Sequence, residues 1–397
     1  MTDSTNVLIF SSSSKYQKKG QGGGAETSLR LIAEKLVEKG INVTYFTNGI
    51  SRIPGIRKKI INGVEVYYFT PWRWPFLKNK RLFSFASKFI TRQKQKALAK
   101  LIKDKNIRIV HTYVPFPDTF NIIKIRKEYN LEFSIVMRVA GLHWINQLNS
   151  KLIKPSTIEF VFNNVDVMNY LDIGLKKLSD EKCKEFGINV AGPKSFIHDI
   201  GVDLNYYQER KIQPKNDHFT MICTARFSQT QKRHDILIEV IKKLKDQNIY
   251  VEFAGNGPLL KKYKKQVENA SLQHLVKFHG FLKKEELRDI MKTADLAILS
   301  TDYEGVSKAV VEAMSMKIPV LVSDVSALNR FLTNNETGFL VENTVEKWAE
   351  SILMLTKDRN SLSKVAAAGC RYARDHYDAD ININQYIKIF QSLYHSH

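Results

Sequence analysis

Short apolar runs alternate with helical repeats through the first half of the chain. The run "NVLIF" is followed by a polar, glycine-rich loop and then by apolar residues at helical spacing from Leu29 to Val37, with Thr27 or Ser28 as a helix cap. Further strands are predicted at "INVTYFT", "GVEVYYF", "IRIVHTY" and "FSIVMRVAG", and helices at 88–103 and 119–129. Strands that alternate with helices form parallel sheets, so this half predicts a Rossmann-like α/β domain.

A second series of the same kind follows the polar stretch 208–219. Its apolar runs are "TMICTARF", "IYVEFAG", "VKFHGF", "LAILST", "PVLVSD" and "GFLVE", with helical patterns between them. The last segment, "DININQYIKIFQSLYHSH", predicts an amphipathic helix with no strand after it. We therefore expect an N-terminal domain at 1–207, a C-terminal domain at 208–376 and a terminal helix at 377–397.

Length and composition agree with two folded domains. The 397 residues are 43% hydrophobic and 25% charged, with no low-complexity tract, which excludes a disordered chain. The first apolar run is too short for a signal peptide and no run reaches the length of a membrane-spanning helix, so we expect a cytoplasmic protein. Cys183, Cys223 and Cys370 are too widely spaced to indicate a metal site or a disulfide framework.

The net charge of +21 is concentrated in the first half. Residues 51–110 hold 16 basic and two acidic residues, interleaved with the aromatic side chains of "TPWRWPFLKNKRLFSF". Such a face suits an anionic membrane surface or a nucleic acid, and it is equally typical of a solvated face on a lysine-rich protein.

The stretch "STDYEGVSKAVVEAM" contains two glutamates, Glu304 and Glu312. Within one helix they would be separated by about 12 Å of rise, more than the roughly 5 to 9.5 Å between the acid and base of a glycoside hydrolase. Gly305 precedes a predicted helix start, which places Glu304 in a turn and Glu312 on the helix. Since amides at a helix start attract anions, the stretch predicts a ligand with hydroxyls at both ends and phosphate between them.

Two cations lie at and just beyond the carboxyl end of the strand "TMICTARF". Arg226 lies at its carboxyl end and Lys232 comes six residues later, at the entry to a helix. Ligands of open parallel sheets bind beyond the carboxyl ends of strands, where an arginine fork and a lysine point charge can hold a diphosphate. On a basic protein, the same two residues could equally be loop charges.

The ordered set of motifs from "TARF" to "GFLVEN" resembles the retaining glycosyltransferases of family 4. The set comprises Arg226, Lys232, "GNGP", "VKFHGF", "ADLAILSTDYEGVSKAVVEAMSMKIPVLVSD" and "TGFLVEN". The resemblance implies the GT-B fold, in which two Rossmann-like α/β/α domains face each other across a deep crevice, with the C-terminal helix packing back on the N-terminal domain. It also implies a nucleotide-sugar bound mainly against the C-terminal domain.

The same resemblance implies roles for individual residues of the C-terminal domain. Arg226 and Lys232 would hold the diphosphate, Glu304 the hydroxyls of the donor sugar and Glu312 those of the ribose. The remaining expected contacts come from Phe281 and Leu282 to the base, and from Gly305, Val306, Ser307 and Lys308 to sugar or phosphate.

The N-terminal half resembles the family more loosely. "QGGGAETSL" is similar to its glycine loop, where Gly23 and Gly24 would let the backbone approach the phosphates. Two positions where the family often has histidine are Tyr113 and Ala140 here. His111 or His143 could supply the missing contact to the donor sugar, and a structural role is open for each.

The function implied is transfer of a sugar from a UDP- or GDP-linked donor to an acceptor hydroxyl with retention of configuration. We expect no cofactor and no metal, a glycan or lipid-linked acceptor of bacterial surface polysaccharide synthesis, contact with an anionic membrane, and no nucleic acid. Alternatives are an epimerase or phosphorylase of the same fold, or a non-catalytic basic protein that binds membrane or nucleic acid. A dehydrogenase is disfavoured, because "INVTYFT" ends in Thr47 and Asn48 rather than the acidic residue that a dinucleotide site expects.

Overall fold

A computed structural model describes most of the chain. The described residues are 5–13, 16, 24–51, 53–72, 80–141, 143–210, 218–227, 230–304, 306–326 and 328–394, with side chains left out at 24–25 and 80–87. The chain divides into two compact units. One contains the residues up to Ile200 together with those from Ala379 onward, and the other contains Gly201–Asp378.

The N-terminal unit is built on an eight-stranded sheet in the order β3-β4-β2-β1-β5-β6-β7-β8. All neighbouring strands are parallel except β3 and β4, which form an antiparallel hairpin at one edge. The strands are β1 (Asn6–Phe10), β2 (Asn42–Asn48), β3 (Gly55–Ile61), β4 (Val64–Thr70), β5 (Ile109–Thr112), β6 (Ser134–Val139), β7 (Val167–Tyr170) and β8 (Lys194–Ile197).

Helices cover both faces of this sheet. They are α1 (Gly24–Glu38), α2 (Lys80–Asp104), α3 (Phe120–Glu128), α4 (His143–Asn149), α5 (Pro155–Phe162), α6 (Ile173–Glu185) and, from the end of the chain, α13 (Ala379–Tyr394). One core lies under α1 and α13 and includes Leu29, Ile32 and Tyr386. The other lies under α2, α3 and α5 and includes Leu98, Ile122 and Phe162. Because both faces are covered, the central strands are apolar almost throughout.

The C-terminal unit has a six-stranded parallel sheet in the order β11-β10-β9-β12-β13-β14. Its strands are β9 (Phe219–Thr224), β10 (Ile249–Ala254), β11 (Val276–Gly280), β12 (Leu296–Leu299), β13 (Val320–Ser323) and β14 (Phe339–Val341). Its helices are α7 (His234–Lys243), α8 (Leu260–Asn269), α9 (Lys284–Met291), α10 (Lys308–Ser315), α11 (Val345–Lys357) and α12 (Arg359–Tyr377). The expectation of two Rossmann-like α/β units is confirmed.

The unit boundaries differ slightly from those expected at 207/208 and 376/377. The chain passes between units at Ile200/Gly201 and at Asp378/Ala379. Gly201 has φ of 78°, and a Cβ there would lie 1.9 Å from the carbonyl oxygen of Tyr377. Val202 N–H donates to that same carbonyl at 2.8 Å. These backbone contacts tie segment 201–207 to the end of α12, so this segment belongs to the C-terminal unit.

Other local expectations needed correction. Helix α1 begins at Gly24, so Thr27 and Ser28 lie in its first turns and do not cap it. No strand was predicted at β3, because its sequence does not alternate between apolar and polar residues. Six of its seven residues are exposed at the sheet edge. Within the described residues, no helix is long and apolar enough to cross a membrane.

Candidate functional site

The C-terminal sheet changes its direction of winding between β9 and β12. From β9 the chain adds β10 and β11 on one side, and β12 then pairs with the other side of β9. Ligands of open parallel sheets bind at such a switch point, outside the carboxyl ends of the strands. Arg226 and Lys232 follow β9, while Glu304 follows β12, so the topology brings these three predicted site residues to the same edge.

Lys232 and Glu304 form an ion pair across the switch point, and each side chain keeps about a fifth of its surface exposed, 20% and 19% respectively. Burial lowers the pKa of the Lys232 ammonium to about 8, and the positive charge of Arg226 acts in the same direction. An anion bound here would add a second negative charge next to an ammonium that is costly to keep charged.

Hydrogen bonds join the loops that carry this pair. Asp302 N–H donates to the carbonyl of Gln231 at 2.9 Å, and the Gln231 side chain donates to the carbonyl of Tyr303 at 2.6 Å. The Ser300 hydroxyl donates to the carbonyl of Arg233 at 2.9 Å, and the Arg233 guanidinium pairs with Asp302 at 3.0 Å. The two loops are therefore positioned as a unit, which fixes the positions of Lys232 and Glu304.

Arg226 is exposed and makes no hydrogen bond or ion pair within the described part of the chain. Its guanidinium is therefore available to a ligand. The first glycine of "GNGP", Gly255, packs directly against the backbone that precedes Arg226. A Cβ on Gly255 would lie 1.9 Å from the carbonyl oxygen of Ala225. Packing alone therefore explains why a glycine occupies position 255, and this explanation needs no contact between Gly255 and a ligand.

Helix α10 presents its first turn to the same edge of the sheet. Ser307 is its N-cap in extended conformation, and its side chain makes no capping hydrogen bond, so the first amides of α10 receive no partner from it. The Lys308 ammonium donates to the carbonyl of Gly201 at 2.8 Å. The side chain of Lys308 is thus engaged by the protein, while the helix start offers amides suited to an anion.

Glu312 lies one helical turn beyond Lys308 and accepts a hydrogen bond from the Tyr207 hydroxyl. Tyr207 is 4% exposed, and burial together with the Glu312 charge raises the pKa of its phenol far above the usual range. This contact holds the Glu312 carboxylate in one orientation. Sequence reasoning missed Tyr207, because an aromatic residue in "NYY" carries no signal of the helix that it will meet.

Polar residues from two neighbouring strands support the loop before Glu304. The amide of Thr301 donates to Ser323 Oγ at 2.8 Å, and Asn343 Nδ2 donates to the carbonyl of Thr301 at 2.7 Å. Ser323 Oγ in turn donates to Asn343 Oδ1 at 2.5 Å. Ser323 ends β13 and Asn343 follows β14, so the rule that identified Arg226 would also have indicated these two positions.

For the other predicted site residues of this unit, the structure gives position and exposure only. Phe281 and Leu282 follow β11, and Phe281 is 50% exposed. Val306 is half-buried and packs against the core. Gly305 lies outside the described residues.

The two candidate histidines of the N-terminal unit differ in accessibility. His111 is fully buried, with Nδ1 3.1 Å from the carbonyls of Thr112 and Val136, and its ring stacks on Tyr386 of α13. Burial lowers the pKa of His111 to about 4. His143 is exposed at the start of α4. Of the two, only His143 presents surface to a ligand.

The glycine loop is only partly covered by the structure. Gly24 is the first residue of α1, and Gly23 lies outside the described residues.

A polar cluster marks the corresponding switch point of the N-terminal sheet, between β1 and β5. Ser12 follows β1, and its amide and hydroxyl donate to the carboxylate of Asp118 at 2.8 and 2.5 Å. The Lys94 ammonium donates to Ser12 Oγ at 2.9 Å, and burial lowers the pKa of Lys94. None of these three residues was singled out from the sequence.

Among the described residues, no group of three or more His, Cys, Asp or Glu side chains could hold a metal ion.

Comparison with known sequences identifies the C-terminal unit. Residues 207–371 match the family model "Glycosyl transferases group 1", and the unit that contains them belongs to this family. The putative colanic acid biosynthesis glycosyltransferase WcaL of Escherichia coli is 25% identical over 48% of this chain and 48% of its own length. The phosphatidylinositol N-acetylglucosaminyltransferase GPI3 subunit of Saccharomyces cerevisiae is 23% identical over 82% of this chain and 70% of its own. The chain spans about half the length of the WcaL relatives that it matches.

Solved structures share the fold over almost the whole chain. Sucrose-phosphate synthase from Thermosynechococcus elongatus has a TM-score of 0.81 at 14% identity, covering 99% of this chain and all of its own. HepE of Anabaena, solved with UDP and glucose, has a TM-score of 0.71 at 16% identity, covering 97% and 99%. These similarities confirm the fold expected from the resemblance, the GT-B fold.

Proposed function

We propose that this chain is a retaining glycosyltransferase that moves a sugar from a nucleoside diphosphate sugar to an acceptor hydroxyl. The observation that carries the proposal is the Lys232–Glu304 ion pair at the β9/β12 switch point, beside the exposed Arg226, which has no ion-pair partner among the described residues. Two cations and a carboxylate at the carboxyl edge of a parallel sheet match a ligand that combines phosphate with hydroxyl groups. The family of the C-terminal unit supports the same chemistry.

Each charged group has a distinct role in this proposal. Arg226 and Lys232 bind the diphosphate and stabilise the charge that develops on it as the glycosidic bond breaks. Glu304 accepts hydrogen bonds from the donor sugar, and Glu312 accepts them from the ribose. The amides at the start of α10 add donors that need no reorganisation when negative charge develops.

The proposed transfer breaks the bond between the anomeric carbon and the diphosphate oxygen, and forms a bond from that carbon to the acceptor oxygen on the same face. The departing phosphate oxygen takes the proton of the acceptor hydroxyl, so atoms and charges balance without a protein base. Arg226 and Lys232 supply the positive charge for the leaving group. We therefore propose that the reaction requires neither metal nor cofactor.

For the acceptor we propose a lipid-linked or polysaccharide intermediate of bacterial surface glycan synthesis, such as capsule, O-antigen or exopolysaccharide. The names of two relatives, which refer to colanic acid and amylovoran biosynthesis, support this class. We place acceptor binding in the basic N-terminal unit, where Ser12, Lys94 and Asp118 lie at the switch point, with His143 as the accessible histidine. The proposed location is the cytoplasm, at the inner face of an anionic membrane.

Thermal unfolding in the presence of nucleotides tests the donor assignment. UDP, GDP, their glucose, galactose, mannose and N-acetylglucosamine conjugates, and NAD are compared at equal concentration. Stabilisation by one nucleoside diphosphate and its sugars is expected, because a ligand that binds only the folded state raises its stability. No response to any member, or a response to NAD alone, would contradict the proposal.

Product analysis separates transfer from the alternatives within the fold. With donor and a lipid-linked acceptor, proton NMR of the product should show the anomeric configuration of the donor. Conversion of the donor without acceptor would indicate an epimerase, and phosphate-dependent breakdown of a glycoside would indicate a phosphorylase. Binding of membranes or nucleic acid without any turnover would indicate a non-catalytic protein.

A further inference from the structure

The free edge of the N-terminal sheet carries an unusual combination of exposed apolar and basic side chains. We call it the β3 edge surface. It consists of Ile50, Ile53, Ile56, Arg57, Lys59, Ile60 and Trp72.

The apolar members are among the most exposed large hydrophobic residues of the described chain. Ile53, Ile60 and Trp72 are 66%, 68% and 67% exposed, and Ile50 is 59% exposed. Isolated exposed apolar residues are normal, but a group within one short segment marks an interaction site. The described part of the chain contains nothing that covers them.

Strand pairing brings the members of this surface together. In the β3–β4 hairpin, Gly55 pairs with Thr70 and Ile56 with Phe69. Ile53 and Trp72 each lie two residues beyond the Gly55–Thr70 pair that ends the hairpin ladder. Gly49 N–H donates to the carbonyl of Phe69 at 2.6 Å, so the next residue, Ile50, lies near the same end of β4. Ile50, Ile53, Ile56 and Trp72 therefore gather at one corner of the sheet.

The two cations of the surface differ from their neighbour Lys58 in their acidic partners. Lys58 pairs with Glu65, which also pairs with Lys105. By contrast, the described residues give neither Arg57 nor Lys59 an acidic partner, and both side chains are exposed on the outermost strand. Apolar groups flanked by unpaired cations complement a surface with an anionic layer above an apolar one.

We infer that the β3 edge surface docks the protein on an anionic lipid bilayer. The isoleucines and Trp72 enter the boundary between headgroups and acyl chains, while Arg57 and Lys59 remain at the level of the lipid phosphates. The inference rests on the proposed function, since a lipid-linked acceptor is presented at such a surface, and it names the part of the N-terminal unit that makes the contact.

Two other occupants fit this surface less well. A second copy could extend the sheet by pairing its own β3, but Arg57, Lys58 and Lys59 are consecutive, and self-pairing would set cations against cations. A nucleic acid would use the cations and could stack a base on Trp72. It would leave the four isoleucines in water, since they have neither a planar face nor a hydrogen-bonding group.

Co-sedimentation of the full chain with vesicles tests the inference. Vesicles of phosphatidylcholine alone and of phosphatidylcholine with phosphatidylglycerol are compared at low and high salt. Strong binding is expected only to the anionic vesicles, and it should fall as salt rises. Arg57→Gln with Lys59→Gln should weaken binding roughly 30-fold, given about a fivefold effect for each charge. Ile53→Ser with Ile56→Ser should weaken binding at both salt concentrations.

A matched control comes from helix α6 of the same unit. Ile173 and Leu178 are 49% and 42% exposed, and Lys177 and Lys184 are exposed cations. The corresponding pairs, Ile173→Ser with Leu178→Ser and Lys177→Gln with Lys184→Gln, should bind vesicles as the wild type does. An equal loss of vesicle binding in the β3 edge variants and the α6 variants would indicate a general charge effect. That result would overturn the inference.

Fluorescence gives a second measurement on the folded protein. Lipids with brominated acyl chains should quench part of the tryptophan emission of the wild type, and Trp72→Phe should remove the quenched part. Absence of quenching would overturn insertion. If vesicle binding is absent, either of two results would overturn the inference. One is a dimer that the edge variants dissociate, and the other is duplex RNA binding that the edge variants abolish.

Nucleotide stabilisation of the same variants separates this inference from the proposed function. If nucleotides stabilise the wild type but vesicles do not bind, the docking surface is wrong and the donor assignment stands. If vesicle binding depends on the edge surface but no nucleotide binds, the donor assignment is wrong and the surface stands.

Discussion

The Lys232 ammonium is paired with the Glu304 carboxylate, one residue following β9 and the other following β12. In this arrangement each partner neutralises the charge of the other. A diphosphate must compete with Glu304 for Lys232, while the sugar hydroxyls give Glu304 new partners. The pair therefore links recognition of the phosphate to recognition of the sugar.

Replacing Glu304 with Ala or Gln should separate these two functions. We expect kcat to fall at least 100-fold, because the sugar loses the group that orients it. Affinity for the free nucleoside diphosphate should stay equal or increase, since Lys232 is released from its ion pair with Glu304. Steady-state kinetics and calorimetry on the same samples measure both quantities. Full activity of both variants would show that Glu304 does not contact the sugar.

Tyr207 and Glu312 should act together in ribose binding. Glu312→Ala should weaken nucleotide binding by roughly tenfold or more, and Tyr207→Phe by a smaller factor, because the lost hydrogen bond only orients the carboxylate. A 2′-deoxynucleotide provides the control. It should bind the wild type more weakly than the ribonucleotide, and this difference should shrink in Glu312→Ala. An unchanged difference would place the ribose elsewhere.

Nucleotide affinity should decline as the pH rises through about 8. The pKa of Lys232 is lowered to about 8 in the free protein, so the ammonium loses its proton above that pH. A bound diphosphate favours the charged form, which means that binding above pH 8 requires proton uptake and weakens about tenfold per pH unit. Lys232→Arg should bind with a flatter profile, since arginine stays protonated. Titration calorimetry from pH 7 to 10 measures both profiles.

The buried His234 should make the C-terminal unit sensitive to acid. Its ring stacks on Phe227 at 4.0 Å, and neither ring nitrogen has a hydrogen-bond partner among the described residues. Burial lowers the pKa of His234 from 6.5 to about 4. The unfolded state takes up a proton first, so stability is complete above pH 6.5 and declines down to about pH 4.

This His234 contribution amounts to a loss of about 2 kcal/mol at pH 5 relative to pH 7. Urea unfolding at the two pH values measures it. His234→Phe removes the titrating group while keeping an aromatic ring in the stack, and it should remove this part of the pH dependence. An equal decline in wild type and variant would assign the effect to other groups.

Chelation should leave activity unchanged if the cations replace a metal. We expect the same initial rate in excess EDTA and with added Mg²⁺ or Mn²⁺, because Arg226 and Lys232 carry the charge of the leaving group. A glycosyltransferase known to require a metal, assayed under the same conditions, serves as the control. Loss of activity that Mn²⁺ restores would contradict this prediction.

The sequence by itself determined the class of the fold and most of its strands. Apolar runs of strand length between helical repeats require a parallel sheet covered on both faces, because only burial on both sides favours continuous apolar strands. The same local logic placed Arg226 and Glu304 after strands. It missed β3, whose sequence GIRKKII forms neither a continuous apolar run nor an alternation of apolar and polar residues.

Only the tertiary structure decided which of these residues meet. Lys232 reaches Glu304 because β9 and β12 are neighbours in the sheet, and Tyr207 reaches Glu312 because backbone contacts hold its segment against the C-terminal unit. It also buried His111 against Tyr386, while His143 remained exposed. Local pattern fixes which face of an element is apolar, whereas contacts between distant segments depend on strand order and on the packing of the whole unit.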